Sequence, residues 1–486
     1  MAVTDDVTDD LAYESAGGLA RRIRAGEVAS REVLDVLLDR VGRLDGPINS
    51  VVTIDADRAR REAAEADQAV ARGDELGPLH GVPITVKDSW QTAGMRTTSG
   101  APELAGLVPE SDAWPVARLR AAGAVVYGKT NLPLYAGDFQ SYNDVFGTTN
   151  NPFDTGRTPG GSSGGSAAAL ACGFTPLEVG SDIGGSIRLP AHMSGVMGHK
   201  PSYGIVPTHG QIPGPPGTLT LADLAVGGPM ARSVDDLELA LDLLVGPNRW
   251  DAPAWRVELP PSRVTDLRGC RVAAWLDDER CPVEPEVAEL LEQAAGTLAG
   301  AGARVDTDAR PDFTLGKAAD TFLTLLHAAL SGSFGRDQIE RLAADEDDSP
   351  LGLTRRRTAI RHREWLSANE RRMQLRLRFE EFFADWDVLL LPVMPRTALT
   401  HDHSQPMASR TVHYSGRDWP YWDTVTWMAP AGACFLPATV VPVGTTPAGL
   451  PVGIQVMGPF LHDRTTLRVA GHLAGLLGGC PRPPGF

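Results

Sequence analysis

Gly160-Gly-Ser-Ser-Gly-Gly-Ser-Ala-Ala-Ala-Leu-Ala-Cys-Gly-Phe-Thr-Pro-Leu-Glu-Val-Gly-Ser-Asp-Ile-Gly-Gly-Ser-Ile-Arg-Leu-Pro190 is the stretch on which the reading of this chain turns. Two Gly-Gly-Ser clusters flank a run of small residues, Ala167 to Ala171, so that two serine hydroxyls and several unencumbered backbone N–H groups can share one small volume. A backbone without Cβ can approach a reacting carbonyl and aim successive N–H groups at it. Ile183-Gly184-Gly185-Ser186 therefore reads as an oxyanion hole with its nucleophile attached, Ile183, Gly184 and Gly185 being the donors and the Ser186 N–H a further candidate. A pair of glycine-rich turns is the bland alternative, and it does not account for so long a run.

Two shorter motifs compete with it. Gly123-Ala-Val-Val-Tyr-Gly-Lys-Thr130 fits the phosphate-loop pattern of nucleotide hydrolases. That motif needs a flexible loop leading into a helix, so that backbone N–H groups can wrap phosphates. Here Ala-Val-Val-Tyr reads as the strand itself, and Asn131-Leu132-Pro133 stands where the helix should begin. Gly160-Gly-Ser-Ser-Gly164 fits the nucleophile elbow, but an elbow caps an apolar strand and the approach from Asn151 to Pro159 is no strand.

The surrounding chain has 486 residues, of which 42% are hydrophobic and 22% charged, which excludes disorder and fibre and leaves room for a large core. The net charge of −16 argues against a general affinity for nucleic acid or anionic lipid, whose binding needs clustered positive charge. Only four of the basic residues are lysines, Lys87, Lys129, Lys200 and Lys317, against 41 arginines, so each retained lysine asks for a reason. Five scattered cysteines form no CxxC pair, which excludes a disulfide framework or zinc knuckle, and His401 with His403 lacks a third nearby ligand. No metal or cofactor is called for. Met1 to Asp10 carries no secretory pattern, and no run approaches the roughly eighteen apolar residues of a membrane span, so the cytoplasm is the default compartment.

Periodicity predicts a helix from Ser30, as N-cap, through Leu44, and another over about 57–71. Strands follow at Val82–Val86, ending on Lys87-Asp88, and at Ala124–Tyr127 after a helix near 115–122. Further alternation, with strands near 271–275, 303–307 and 388–391 and a helix near 284–298, predicts an α/β fold around a buried sheet. The Arg-rich stretch from Arg355 to Arg378 is interleaved with Glu364 and Glu370 and reads as a solvated helix face.

The long glycine–serine run, with Gly81-Val-Pro-Ile-Thr-Val-Lys-Asp88, Gly128-Lys-Thr-Asn-Leu132, Phe146-Gly-Thr-Thr-Asn-Asn-Pro152, Lys200-Pro201 and Gly449-Leu-Pro-Val-Gly-Ile-Gln455, resembles the amidase-signature hydrolases. The resemblance spans most of the chain. It implies a single large domain over 1–486, with a twisted mixed β-sheet covered by helices on both faces. Residues 75–250 would form the signature core, 250–430 a variable specificity region, and 431–486 the C-terminal part of the core. It also implies a Ser–cis-Ser–Lys triad of Ser186 as nucleophile, Ser162 as the bridging serine and Lys87 as base, supported by Ser163, Asp182 and Arg188. Two departures, His199 and Ser202, touch no catalytic role.

On that resemblance the chain hydrolyses carbon–nitrogen bonds of a small amide or carbamate through an acyl-enzyme, without cofactor, as a stand-alone enzyme or homodimer. Other members release ammonia from glutamine within a transamidosome, beside a partner subunit. Lysine can serve as base only when its amine is neutral, and burial at the end of an apolar strand supplies that shift. Tyr414, Trp419, Tyr421, Trp422 and Trp427 put five aromatics within one short segment, against 6% aromatics overall. They either line a pocket for an aryl or extended apolar amide or pin a loop to the core.

Overall fold

The computed structural model describes residues 10–212 and 217–486, the side chain of Ser333 apart; the leader reading of the first ten residues falls almost wholly outside them. Its centre is an eight-stranded mixed sheet in the order 304–306, 271–274, 388–392, 451–457, 438–445, 197–200, 226–231, 177–182. The first three of these run parallel and the remaining pairings are antiparallel. Helices flank the sheet, among them Val234–Leu244, Pro285–Gly300 and Asp463–Leu477. The expected mixed sheet is present, but the strand carrying Lys87 is not part of it. Pro83–Lys87 pairs with Val125–Thr130 in a separate three-stranded sheet completed by Val51–Ile54. This small sheet rests against Leu177–Asp182, the edge strand of the large one, and the Thr85 N–H donates to Thr175 Oγ1 across the junction.

The helix from Ser30 to Leu44 forms as the periodicity predicts, with Val33, Leu34, Leu37 and Val41 buried. Ser30 is not its cap. Ala29 holds that position, and the free first-turn N–H groups of Ser30 and Arg31 are met by the Asp67 carboxylate of the next helix, at 2.6 and 3.3 Å. The Ser30 hydroxyl instead donates to the Gly81 carbonyl at 2.6 Å and so ties this helix to the residue entering the lysine strand.

The small-residue run forms the helix Gly164–Ala171, every residue of which is buried. Its composition follows from crowding. A Cβ on Gly165 would lie 2.4 Å from the Asn131 backbone nitrogen, and one on Gly164 would lie 2.4 Å from Ser141 Oγ. The Arg-rich stretch is two helices, Pro350–Thr358 and His362–Asp385, rather than one. Among the described residues no helix is long and apolar enough to cross a membrane.

Candidate active site

Lys87 ends its strand with the whole side chain buried, and its Nζ lies 2.7 Å from Ser162 Oγ, 3.0 Å from Ser163 Oγ and 3.0 Å from Ser181 Oγ. Three hydroxyls and no carboxylate contact the amine. Burial therefore dominates and pushes Lys87 down to about 7, against the smaller opposing pull of Asp182 and Glu178. A neutral amine has one lone pair, so one of the three contacts must run in reverse, with a serine O–H donating to nitrogen. Ser162, at the shortest distance, is placed to be that donor.

The three serines come from two segments. Ser162 and Ser163 precede the Gly164–Ala171 helix, and the Gly161–Ser162 peptide bond is cis. Ser181 lies in the edge strand Leu177–Asp182, one residue before Asp182. Glycine is required in this packing at Gly161, where a Cβ would lie 2.6–2.7 Å from the Asp138–Gln140 backbone, and at Gly180, where it would lie 2.9 Å from Ser163 Oγ.

Ser186 follows the edge strand on a loop shaped by Asp182. That carboxylate accepts the N–H groups of Gly185 at 2.9 Å and Ile187 at 3.2 Å and pairs with the buried Arg188 at 3.0 Å. Burial alone would raise Asp182, but the Arg188 guanidinium and the N–H donors hold it below the usual carboxylate range. Arg188 also donates to the Met428 carbonyl at 3.2 Å and to Gln455 Oε1 at 3.1 Å, which ties the loop to the C-terminal strands. The Gly185 N–H, expected among the oxyanion donors, is engaged by Asp182 in this structure. The N–H groups of Ile183, Gly184 and Ser186 have no acceptor among the described residues.

Ser163 N donates to the Ser186 carbonyl at 3.2 Å, so the two Gly-Gly-Ser clusters do meet. The Ser186 hydroxyl makes no hydrogen bond to Ser162, whose oxygen is turned toward Lys87. Catalytic hydrogen bonds of this kind commonly tighten only with substrate in place.

Two buried residues escaped the sequence reading. Ser181 carries the third hydroxyl on Lys87, and Glu178, three residues upstream, accepts from Thr85 Oγ1 at 2.5 Å and is raised by burial to about 7. A polar residue in an otherwise buried strand was the available signal for both.

The other lysines resolve differently. Lys129 lies within the Val125–Thr130 strand, which rules out a phosphate loop, and its Nζ donates to the Trp90 carbonyl, Thr92 Oγ1 and Thr97 Oγ1. Lys200 donates to the Pro201 carbonyl at 2.9 Å beside the Asp182–Arg188 pair, where burial and Arg188 lower it to about 7. Lys317 is exposed.

Of the aromatic segment, Trp427 Nε1 donates to the Cys281 carbonyl, Trp419 stacks on Tyr414, and the Tyr421 hydroxyl donates to Asp138. These contacts pin the segment to the core. Trp422 packs edge-on against Phe139, with ring centroids 4.9 Å apart, and Phe139 lies 3.5 Å from where a Gly184 Cβ would be. Tyr421 touches the same phenyl ring, at 5.4 Å, but is anchored by its hydroxyl. The expected aromatic wall is thus reduced to Trp422 and Phe139. His403 stacks on Tyr142, and among the described residues no group of three or more His, Cys, Asp or Glu side chains could hold a metal ion.

The sequence profile of the Amidase family matches residues 32–467. The chain belongs to that family. It is 34% identical to a glutamyl-tRNA(Gln) amidotransferase subunit of Acidothermus cellulolyticus, an alignment covering 96% of this chain and 94% of the relative. Among solved structures, 6-aminohexanoate cyclic dimer hydrolase superposes with a TM-score of 0.77 at 27% identity, covering 98% of this chain and 99% of the other. A fatty acid amide hydrolase gives a TM-score of 0.80 at 25% identity, covering 98% and 87%. The amidase is therefore a hydrolase-type enzyme of carbon–nitrogen amide bonds built on the amidase-signature fold.

Proposed function

We propose that the amidase cleaves neutral amides through an acyl-enzyme on Ser186, with Ser162 as proton relay and Lys87 as base. The observation that carries this reading is the Lys87 amine, buried, in contact only with hydroxyls and 2.7 Å from Ser162 Oγ. At about 7 it is half neutral near neutral pH, whereas a lysine at its ordinary value would be neutral in roughly one molecule in three thousand. Ser162 gives its proton to Lys87 Nζ as it takes the proton of Ser186, and Ser186 Oγ forms a bond to the amide carbon. The negative charge gathers on the former carbonyl oxygen, toward the unpaired N–H groups of Ile183, Gly184 and Ser186; one such donor is commonly worth about a hundredfold or more in rate. The relay then runs backward: Lys87 returns a proton through Ser162 to the leaving nitrogen, the carbon–nitrogen bond breaks, and water cleaves the ester on Ser186. Asp182 and Arg188 touch none of these atoms and act by holding the loop. Trp422 and Phe139 favour an aryl or extended apolar group, and a carbamate fits the same chemistry.

The second reading is an amidotransferase component, supported by the 34% identity to a glutamyl-tRNA(Gln) amidotransferase subunit over nearly the full length of both chains. It would take glutamine and work beside further subunits. Rates of purified protein on glutamine, anilides, aliphatic amides, esters and carbamates separate the two. Anilide turnover that disappears in Ser186→Ala supports the stand-alone amidase; turnover that survives this substitution removes Ser186 from the mechanism. Turnover of glutamine alone favours the amidotransferase.

A further inference from the structure

Helix Leu315–Leu330 brings Leu326 to 3.6 Å from where a Gly184 Cβ would be, beside Phe139 on the oxyanion loop. The next residue, His327, is 3% exposed and packs edge-on against Trp422, with ring centroids 4.7 Å apart. Its Nδ1 lies 2.7 Å from the Leu323 carbonyl, which can only accept, so Nδ1 carries the proton and Nε2 keeps its lone pair. Burial lowers His327 to about 4, which leaves the ring neutral at ordinary pH. His327 Nε2 is buried with no donor, and Trp422 Nε1, in a side chain 8% exposed, is buried with no acceptor. A buried polar group left without a partner costs free energy, so two of them on packed rings beside the residues that flank Gly184 need an explanation. Their own pairing is not it, because no hydrogen bond joins them. Arg357, whose charge reaches His327, is itself held by Asp320 at 3.1 Å.

We infer that His327 Nε2 and Trp422 Nε1 form a specificity pair for a second, neutral hydrogen-bonding group of the substrate, one that presents an N–H and a C=O side by side. The inference rests on the amidase reading and deepens it. Unsubstituted carboxamides, ureas and carbamates carry both groups on one edge, the C=O to accept from Trp422 and the N–H to donate to His327. A carboxylate would meet the bare His327 nitrogen with lone pair against lone pair, and an ammonium group, which only donates, would leave the Trp422 N–H without an acceptor. The substrate class is therefore an amide with a second carboxamide-like group, flanked by the apolar surfaces of Phe139 and Leu326.

The test compares the anilide of succinamic acid with its isostere in which the terminal carboxamide is replaced by isopropyl. In the unaltered enzyme, kcat/KM should favour the carboxamide by about tenfold or more, since a site built to hydrogen-bond a group rejects the analogue lacking it. Trp422→Phe and His327→Phe should each collapse that ratio by about tenfold, because each keeps an aromatic ring and removes the polar atom that would meet the substrate. Binding of both compounds to the Ser186→Ala protein by calorimetry should give the same ratio without turnover. An enzyme that turns over neither compound thus counts against the amidase reading, while the binding ratio still decides this one. A ratio within twofold of unity in the unaltered site, or one that both Phe variants leave intact, overturns the inference.

Discussion

Replacing Lys87 by methionine tests the neutral-amine account through stability, independently of any substrate. A lysine at its ordinary value of 10.5 in the unfolded chain and at about 7 when folded binds fewer protons in the folded state over the range between. Its folded pKa is depressed, so the sign is a penalty: it is complete below about pH 7 and is relieved as pH climbs toward 10.5. Its size follows from the two values. At pH 8 the penalty is about 3 kcal/mol and at pH 9.5 about 1.4 kcal/mol, so the wild-type protein should gain about 2 kcal/mol over this window from Lys87 alone. Lys87→Met removes the titration and leaves the hydroxyls of Ser162, Ser163 and Ser181 without their shared partner. That loss does not depend on pH. Lys129 and Lys200 are common to both proteins and cancel in the difference, and Glu178, raised to about 7, is largely ionised throughout the window. Urea unfolding with checked reversibility, at several pH values from 8 to 9.5, should therefore show the wild-type minus Lys87→Met difference rising by about 2 kcal/mol. Parallel curves would mean that Lys87 stays charged when folded, which refutes the reasoning.

Two further outcomes follow from the same contacts. The kcat/KM profile should rise through an acid limb near pH 7 as Lys87 loses its proton, and Glu178→Gln should move that limb to lower pH by removing a nearby negative charge; a limb that stays in place would uncouple Glu178 from the base. Arg188→Met should cost about 3–5 kcal/mol in stability by stranding the buried Asp182 carboxylate, and Asp182→Asn in the same protein should restore part of it; denaturant midpoints of the single and double variants would measure the coupling, and strict additivity would contradict it.

Much of this site was legible because its chemistry is written in residue types that have few other uses. Lys87, Ser162 and Ser186 lie in motifs whose glycine spacing constrains the backbone, and a chain that otherwise uses arginine makes a buried lysine conspicuous. Lys129 and Lys200 share that burial without the serine partners, so the lysine count alone does not single out Lys87. Ser181 and Glu178 were hidden because one strand residue looks like another until the small sheet is docked against the large one. The competition for Gly185 between Asp182 and an oxyanion is a matter of loop curvature, which spacing does not encode. The role of Ser30 is set by tertiary context in the same way: a serine at a helix start is a good cap in isolation, but here Asp67 from a neighbouring helix does the capping and frees the hydroxyl for Gly81. The aromatic segment is conspicuous in the sequence, yet most of its rings serve packing, and it is the contact of Trp422 with Phe139 that leads to Gly184.

The central claim is a covalent intermediate on Ser186, and mass spectrometry of protein quenched during turnover of an activated anilide or aryl ester measures it directly. The account predicts that the peptide containing Ser186 gains the mass of the acyl group, and that the adduct is lost in Ser186→Ala and strongly reduced in Lys87→Arg, because arginine cannot act as a neutral base. An adduct on Ser162 or elsewhere, or steady turnover with no adduct under conditions where deacylation is slow, would contradict it.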